Sequence, residues 1–246
     1  MMGKKVLVVA AHPDDEILGC GGTVLRHIAE GDVVHTVIMA EGVTSRDETR
    51  DADGRSAELS ALHTQAERAA AFMGVEKLIL HGFPDNRMDE VALLDVVKKI
   101  EAEVEAFRPE MVYTHHAGDV NIDHSIVHNA VVTACRSLPG QSVKTILFFE
   151  TVSSTEWQPP RSHHVFAPNW YVDVGEFMER KLEALHFYDS EMREYPHPRS
   201  YEGIEILAKQ RGIAVGVKSA EAFMLGRMVL KSSYSRPEFA GGGTPL

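Results

Sequence analysis

His12, Asp14, Asp15 and Glu16 crowd an imidazole and three carboxyls around Pro13, directly behind an apolar run. Carboxylates beside a hydrophobic core carry a large desolvation penalty unless a cation or hydrogen-bond donors relieve it. His12 and Asp15 lie three apart across an expected strand-to-helix turn, a spacing that lets both address one ion. An imidazole with one carboxylate suits Zn2+ or Fe2+ better than Ca2+. With Asp15 as a ligand, Asp14 stays free beside the ion to take a proton from water, pairing a general base with a Lewis acid. The competing explanation, acids that cap the following helix, accounts for one or two carboxyls and leaves His12 unexplained.

A second group follows a later strand end. The stretch from His115 and His116 runs through Asn121 to Asp123 and His124, with His128 one helical turn beyond. Two strand-end loops can converge over one sheet, so His124 is expected as the third ligand, with Asp123 orienting a ring. His124 and His128 have the i, i+4 spacing of two zinc ligands on one helix face. A helix histidine satisfied by a neighbour is the more ordinary role for His128. His115 and His116 alternate in direction at the strand end, so at most one of them faces the site.

The elements that must position these groups follow from the hydrophobic pattern. Val6 to Ala10 is a continuous apolar run, as expected of a strand buried on both faces. Ile17 to Glu30, Ser56 to Met73, Val91 to Phe107 and Ile126 to Ala134 have helical character, and Gly31, Gly74 and Pro109 supply stops. Val33 to Ala40, Lys77 to His81 and Met111 to Thr114 are expected strands between them. Glu41 to Gly54 is expected as a long loop, Phe83 to Arg87 as a turn, and 115 to 123 as a loop. This alternation over about 1–150 predicts an α/β fold, a Rossmann-like doubly wound, mostly parallel sheet that binds ligands at the carboxyl ends of its strands. The Ser-, Pro- and aromatic-rich stretch from Thr151 to Trp170 breaks it. About 151–234 is expected as a covering lobe of the same domain, with Glu176 to Tyr188 and Tyr201 to Gly212 helical, and 235–246 as a flexible tail. Gly19, Gly21 and Gly22 come too late, and in the wrong pattern, for a dinucleotide fingerprint.

With 246 residues, 44% of them hydrophobic and 25% charged, the chain is ordinary for a globular domain. A net charge of −11 argues against nucleic acid or anionic membranes as partners. Cys20 and Cys135 are too few for a disulfide framework and are expected as buried thiols. The run Val6–Ala11 is too short for a signal core, and nothing approaches the roughly 20 apolar residues of a membrane span. A cytoplasmic protein is expected, and homo-oligomerisation is left open.

The residues His12-Pro13-Asp14-Asp15 and Asn121-Ile122-Asp123-His124 resemble the two motifs of the LmbE-like (PIG-L) family of metal-dependent N-deacetylases, the second being His-x-Asp-His in that family. The resemblance implies His12, Asp15 and His124 as metal ligands, Asp14 as general base, and an N-acetylated amino sugar as substrate. The chain departs from the pattern at Asn121, where many members have a histidine that steadies the oxyanion. An amide can donate a hydrogen bond there but cannot supply charge, so either Asn121 acts as a neutral donor or His115 or His116 substitutes. An Arg-x-x-Glu pattern of the family is also replaced, by Leu62, His63 and Gln65. Ser153–Trp157 and Ala220–Phe223 resemble members associated with bacterial surface polysaccharides or related glycoconjugates.

Arg46, Arg50, Arg87 and Arg199 are candidates to hold phosphate or sugar groups through their planar forks of donors, although a solvated surface role is the more ordinary one for each. Trp157 and Tyr195 are candidates to stack on a sugar ring. The alternatives are an amidase acting on another amide, such as a thiol conjugate, and a non-catalytic sugar-binding protein whose ion is structural.

Overall fold

The computed structural model describes residues 3–46, 48–160 and 165–230. Strands β1 (Lys5–Ala10), β2 (Val33–Ala40), β3 (Lys77–Phe83), β4 (Met111–His115) and β5 (Thr145–Phe149) are parallel, while β6 (Trp170–Asp173) and β7 (Ala220–Met228) extend one edge. The order is β3-β2-β1-β4-β5-β7-β6, with β7 antiparallel to both neighbours. The helices are α1 (Asp15–Ala29), α2 (Ser56–Met73), α3 (Leu93–Phe107), α4 (Ile122–Ala134), α5 (Met178–Leu185) and α6 (Tyr201–Ile213). The expected doubly wound α/β sheet is therefore the observed one.

The apolar run of β1 is continuous because both faces of the sheet are covered. Val6 and Val8 join a core shared with α1, α2, α5 and α6, whereas Leu7 and Val9 join one shared with α3 and α4. Each such side chain contributes roughly 1.5–3 kcal/mol of burial.

The strands β5, β6 and β7 were not foreseen. Within the stretch expected as a covering lobe, 170–173 and 220–228 return to the sheet. Helix α4 also starts earlier than expected, at Ile122, which puts His124 in its first turn instead of just after a loop. The expected loop 41–54 contains a short 3-10 turn, Thr44–Arg46. The expected tail at 235–246 lies outside the described residues. None of the described helices is long and apolar enough to cross a membrane.

Helix α1 breaks at Cys20, which has φ −147° and ψ 21°. Lys181 Nζ donates to the freed Leu18 carbonyl at 2.9 Å, and Glu221 accepts from the amides of Gly22 and Thr23 at 2.9 and 2.7 Å. The two side chains are paired at 2.7 Å and buried. A Cβ on Gly19 would stand 2.3 Å from the Phe149 ring, and one on Gly22 would stand 2.9 Å from Val174 Cβ. The glycine cluster thus serves close packing around a broken helix.

Candidate functional site

The chain leaves β1 through Ala11, His12 and Pro13 and turns sharply at Asp14, whose φ of 107° is a strained conformation for a residue with a side chain, worth about 1–3 kcal/mol. Its carbonyl accepts from Ile17 and Leu18 at 3.0 and 2.9 Å, and its amide donates to Glu16 Oε2 at 3.0 Å. These bonds hold the turn and place Asp15 in the first turn of α1. From the neighbouring strand β4, the chain reaches Asn121, whose side chain accepts from the Asp123 amide at 2.9 Å and caps α4.

The two strand ends converge on one oxygen. Oδ2 of Asp15 lies 3.1 Å from His12 Nδ1 and 3.2 Å from His124 Nε2. The opposite nitrogens face carboxylates, His12 Nε2 in a hydrogen bond and His124 Nδ1 at ion-pair distance without hydrogen-bond geometry. His12 Nε2 is 3.0 Å from Asp123 Oδ2 and 3.3 Å from Asp85 Oδ1, and His124 Nδ1 is 3.0 Å from Asp119 Oδ2. Asp123 is fixed in turn by the amides of Asn86 and Met88 at 2.6 and 3.0 Å. Asp119 accepts from the hydroxyls of Ser154 and Thr155. A neutral His12 with its proton on Nε2, toward Asp123, would present its Nδ1 lone pair on the Asp15 side, the arrangement a metal-ligating imidazole adopts.

Carboxylates surround both imidazoles and shift their titration. Burial works against charge on His12, but the hydrogen bonds to Asp123, Asp15 and Asp85 outweigh it and push its pKa well above the usual value. His124 is likewise raised to about 9, as Asp15 and Asp119 overcome burial. Burial disfavours the Asp15 carboxylate, yet His124 and His115 hold its pKa well below the usual range. Two imidazole nitrogens and a carboxylate oxygen within 4.8 Å of one another are a donor set that fits a divalent transition metal.

Beside this triad lies a cavity of about 160 Å³ lined, among others, by Asp14, Asn121, Ser153, Glu191 and Arg199. Asp14 Oδ2 is 3.0 Å from Arg199 Nη1. Burial raises the Asp14 pKa to about 7 against the attraction of Arg199. A carboxylate so placed is suited to move a proton near neutrality.

The remaining expected residues divide. His115 Nε2 accepts from the Ala11 amide at 2.9 Å, its Nδ1 faces Thr151 Oγ1 at 3.2 Å, and its ring stacks on His124 with centroids 3.9 Å apart. It therefore backs His124 with both nitrogens engaged. Burial and the neighbouring His124 hold its pKa well below the usual value. His116 packs edge-on against Phe166, and His128 Nδ1 donates to the His115 carbonyl. Neither lines the cavity.

Arg87 donates to the Glu48 carbonyl, and Arg50 grips Glu41 through two nitrogens at 2.7 and 2.8 Å. Both are committed to the loop after β2, away from the cavity lining. Arg46 ends the 3-10 turn, and its side chain lies outside what is described. Trp157 packs on His197, and Tyr195 is exposed. Asp85 and Asp119 were missed by sequence reasoning. Asp85 had a visible cue, as an acid just after a strand end, whereas Asp119 had only its place in the His115–His124 loop.

Comparisons with known proteins show what the chain is similar to. A protein of Escherichia coli (strain K12) described as the uncharacterised deacetylase YaiS is 33% identical over 190 residues, spanning 74% of this chain and 89% of its own. The diacetylchitobiose deacetylase of Thermococcus kodakarensis is 25% identical over 197 residues, spanning 78% of this chain and 71% of its own. The solved N,N'-diacetylchitobiose deacetylase of Pyrococcus horikoshii superposes with a TM-score of 0.71 at 22% identity, over 90% of this chain and 83% of that one, which shows a shared fold. Residues 7–135, which hold the HPDD turn and His124, match the family described as PIG-L: GlcNAc-PI de-N-acetylase, and the chain belongs to that family.

Proposed function

We propose that this protein is a metal-dependent hydrolase that removes the N-acetyl group from an N-acetylated amino sugar or glycoconjugate. One observation carries the reading: Asp15 Oδ2 meets His12 Nδ1 and His124 Nε2 at 3.1 and 3.2 Å, with Asp14 lining the same cavity. The relatives that act on diacetylchitobiose support an acetylated amino sugar as the substrate class.

His12, Asp15 and His124 would hold the ion, with Zn2+ the best match to two imidazoles and a carboxylate and Fe2+ the alternative. A divalent cation there supplies Lewis acidity, polarising a carbonyl and bringing water to a pKa of about 7. Asp14 takes the proton of the attacking water on the carboxylate whose Oδ2 is held by Arg199. The protonated Asp14 then delivers that proton to the nitrogen of the leaving amine, so a single group serves first as base and then as acid. Asn121 has its side-chain oxygen occupied by the α4 cap, which orients its amide NH2 as a neutral donor for the developing oxyanion. Asp123 holds the His12 ring through a hydrogen bond, while His124 is backed by the stacked His115 ring with Asp119 facing its Nδ1 at 3.0 Å.

The test is acetate release from a panel of N-acetyl sugars by metal-loaded protein and its Asp14→Ala variant. Release by the parent alone, with equal metal content in the two proteins, is expected. Equal rates in both would sink the assignment of the base, and no release from any acetamido sugar would sink the substrate class.

A further inference from the structure

We propose that Arg199 is a positioning residue for this chemistry, fixing the carboxylate of Asp14 from the C-terminal side of the chain. The inference rests on the hydrolase reading above and adds to it a residue outside the family match at 7–135.

Three observations carry it. First, the backbone of Arg199 is anchored: its amide donates to His197 Nδ1 at 3.1 Å, its carbonyl accepts from the Arg193 amide at 3.1 Å, and the next residue, Ser200, caps α6. Second, the guanidinium is aimed by two bonds, Nε to Ser153 Oγ at 3.2 Å and Nη1 to Asp14 Oδ2 at 3.0 Å, with only 21% of the side chain exposed. Third, it is the single Arg or Lys among the described residues lining a cavity that also holds Asp14, Asp15, Asp85 and Glu191.

A bond to one carboxylate oxygen fixes the rotamer of Asp14 and leaves its second oxygen for proton transfer. That matters because Asp14 sits on a strained turn with its backbone bonds already spent inside the turn. A surface latch between C-terminal region and core would have no reason to lie inside the cavity. The C-terminal segment therefore completes the catalytic arrangement as well as covering it. Where Asn121 offers only a neutral donor, Arg199 is the fixed positive charge beside the reaction centre.

The experiment compares Arg199→Ala, Arg199→Gln, Arg199→Lys, Asp14→Ala and the Asp14→Ala/Arg199→Ala double variant, all metal-loaded, with N,N'-diacetylchitobiose as the probe. A positioning role predicts a fall in kcat of about 100-fold for Arg199→Ala, with KM nearly unchanged and metal stoichiometry intact. It also predicts partial recovery in Arg199→Lys, partial rescue of Arg199→Ala by added guanidinium ion, and a double variant no slower than Asp14→Ala. Arg199→Gln preserves side-chain bulk and gives the same reading if the Ala variant does not fold. An unchanged kcat in folded Arg199→Ala or Arg199→Gln while Asp14→Ala is inactive overturns this inference alone. Full activity in Asp14→Ala overturns the parent reading as well.

Discussion

Nε2 of His124, in the first turn of α4, stands 3.2 Å from Oδ2 of Asp15, in the first turn of α1. Both residues are almost fully buried. Two helix starts from adjacent parallel strands thus share one oxygen, and a metal ion at that point would tie them together. Protein loaded with one equivalent of Zn2+ should melt about 5–10 °C above the chelated form, since ligand at 100 times Kd contributes about 2.7 kcal/mol and a chain of this size shifts by roughly 2–4 °C per kcal/mol. Calorimetry with and without chelator measures it. His12→Ala and His124→Ala should abolish the difference, and full metal stoichiometry in both variants would reject the triad.

Asp119 touches no other member of the triad, but its Oδ2 faces His124 Nδ1 at 3.0 Å while Ser154 and Thr155 hold it from the far side. Removing such a carboxylate loosens the ring and lowers the basicity of its other nitrogen. Asp119→Asn should weaken metal binding about 10–100-fold, measured by competition with a chromophoric chelator. An affinity equal to that of the parent would show that the ring is oriented by its stacking on His115 alone.

The contrast between His12 and Asp119 shows what a sequence can disclose. His12, Asp14 and Asp15 were legible because three chemical groups share one local turn behind an apolar run that could only be an interior strand. Asp85, Asp119 and Arg199 join them through the crossing of elements far apart in the chain: the strand-end position of Asp85 and the basic side chain of Arg199 are visible locally, but what each one faces is not. The same holds for strands. The β1 run is apolar throughout because both its faces are covered, whereas β6 at the sheet edge is half-buried and β7 ends on exposed residues, so neither has a distinctive alternation.

The break in α1 leads to a stability prediction. Lys181 and Glu221 are 3% and 5% exposed at their side chains and serve the free carbonyl and amides of the broken helix. Lys181→Met leaves Glu221 charged, buried and unpaired, which should cost about 3–5 kcal/mol. Adding Glu221→Gln should recover part of that loss, because the amide oxygen still accepts from Gly22 or Thr23 without an uncompensated charge. Urea unfolding of the parent, Lys181→Met, Glu221→Gln and the double variant measures both steps. A double variant that loses the sum of the single losses would mean that the two residues act independently.

His27 gives a pH dependence whose sign can be isolated. Its Nδ1 is 2.7 Å from Asp32 Oδ2 and its Nε2 is 2.9 Å from the Tyr113 hydroxyl. Burial lowers its pKa, and the Asp32 carboxylate only partly offsets this. A folded-state pKa below the unfolded value of about 6.5 means that the unfolded chain binds the extra proton. The contribution of His27 is therefore complete above about pH 6.5 and is lost as the pH falls through the folded-state value. Asp14 and Glu16, raised by burial to about 7 and about 8, act in the opposite direction over part of this range. The useful quantity is accordingly the difference between the parent and His27→Gln. At pH 8 the variant should be about 1–3 kcal/mol less stable, the cost of a buried hydrogen-bond partner left unmatched. That gap should narrow steadily toward pH 5 in chelated protein unfolded with urea. A gap that stays constant or widens on acidification would show that His27 is charged in the folded state and that its bond to Asp32, not its burial, governs its titration.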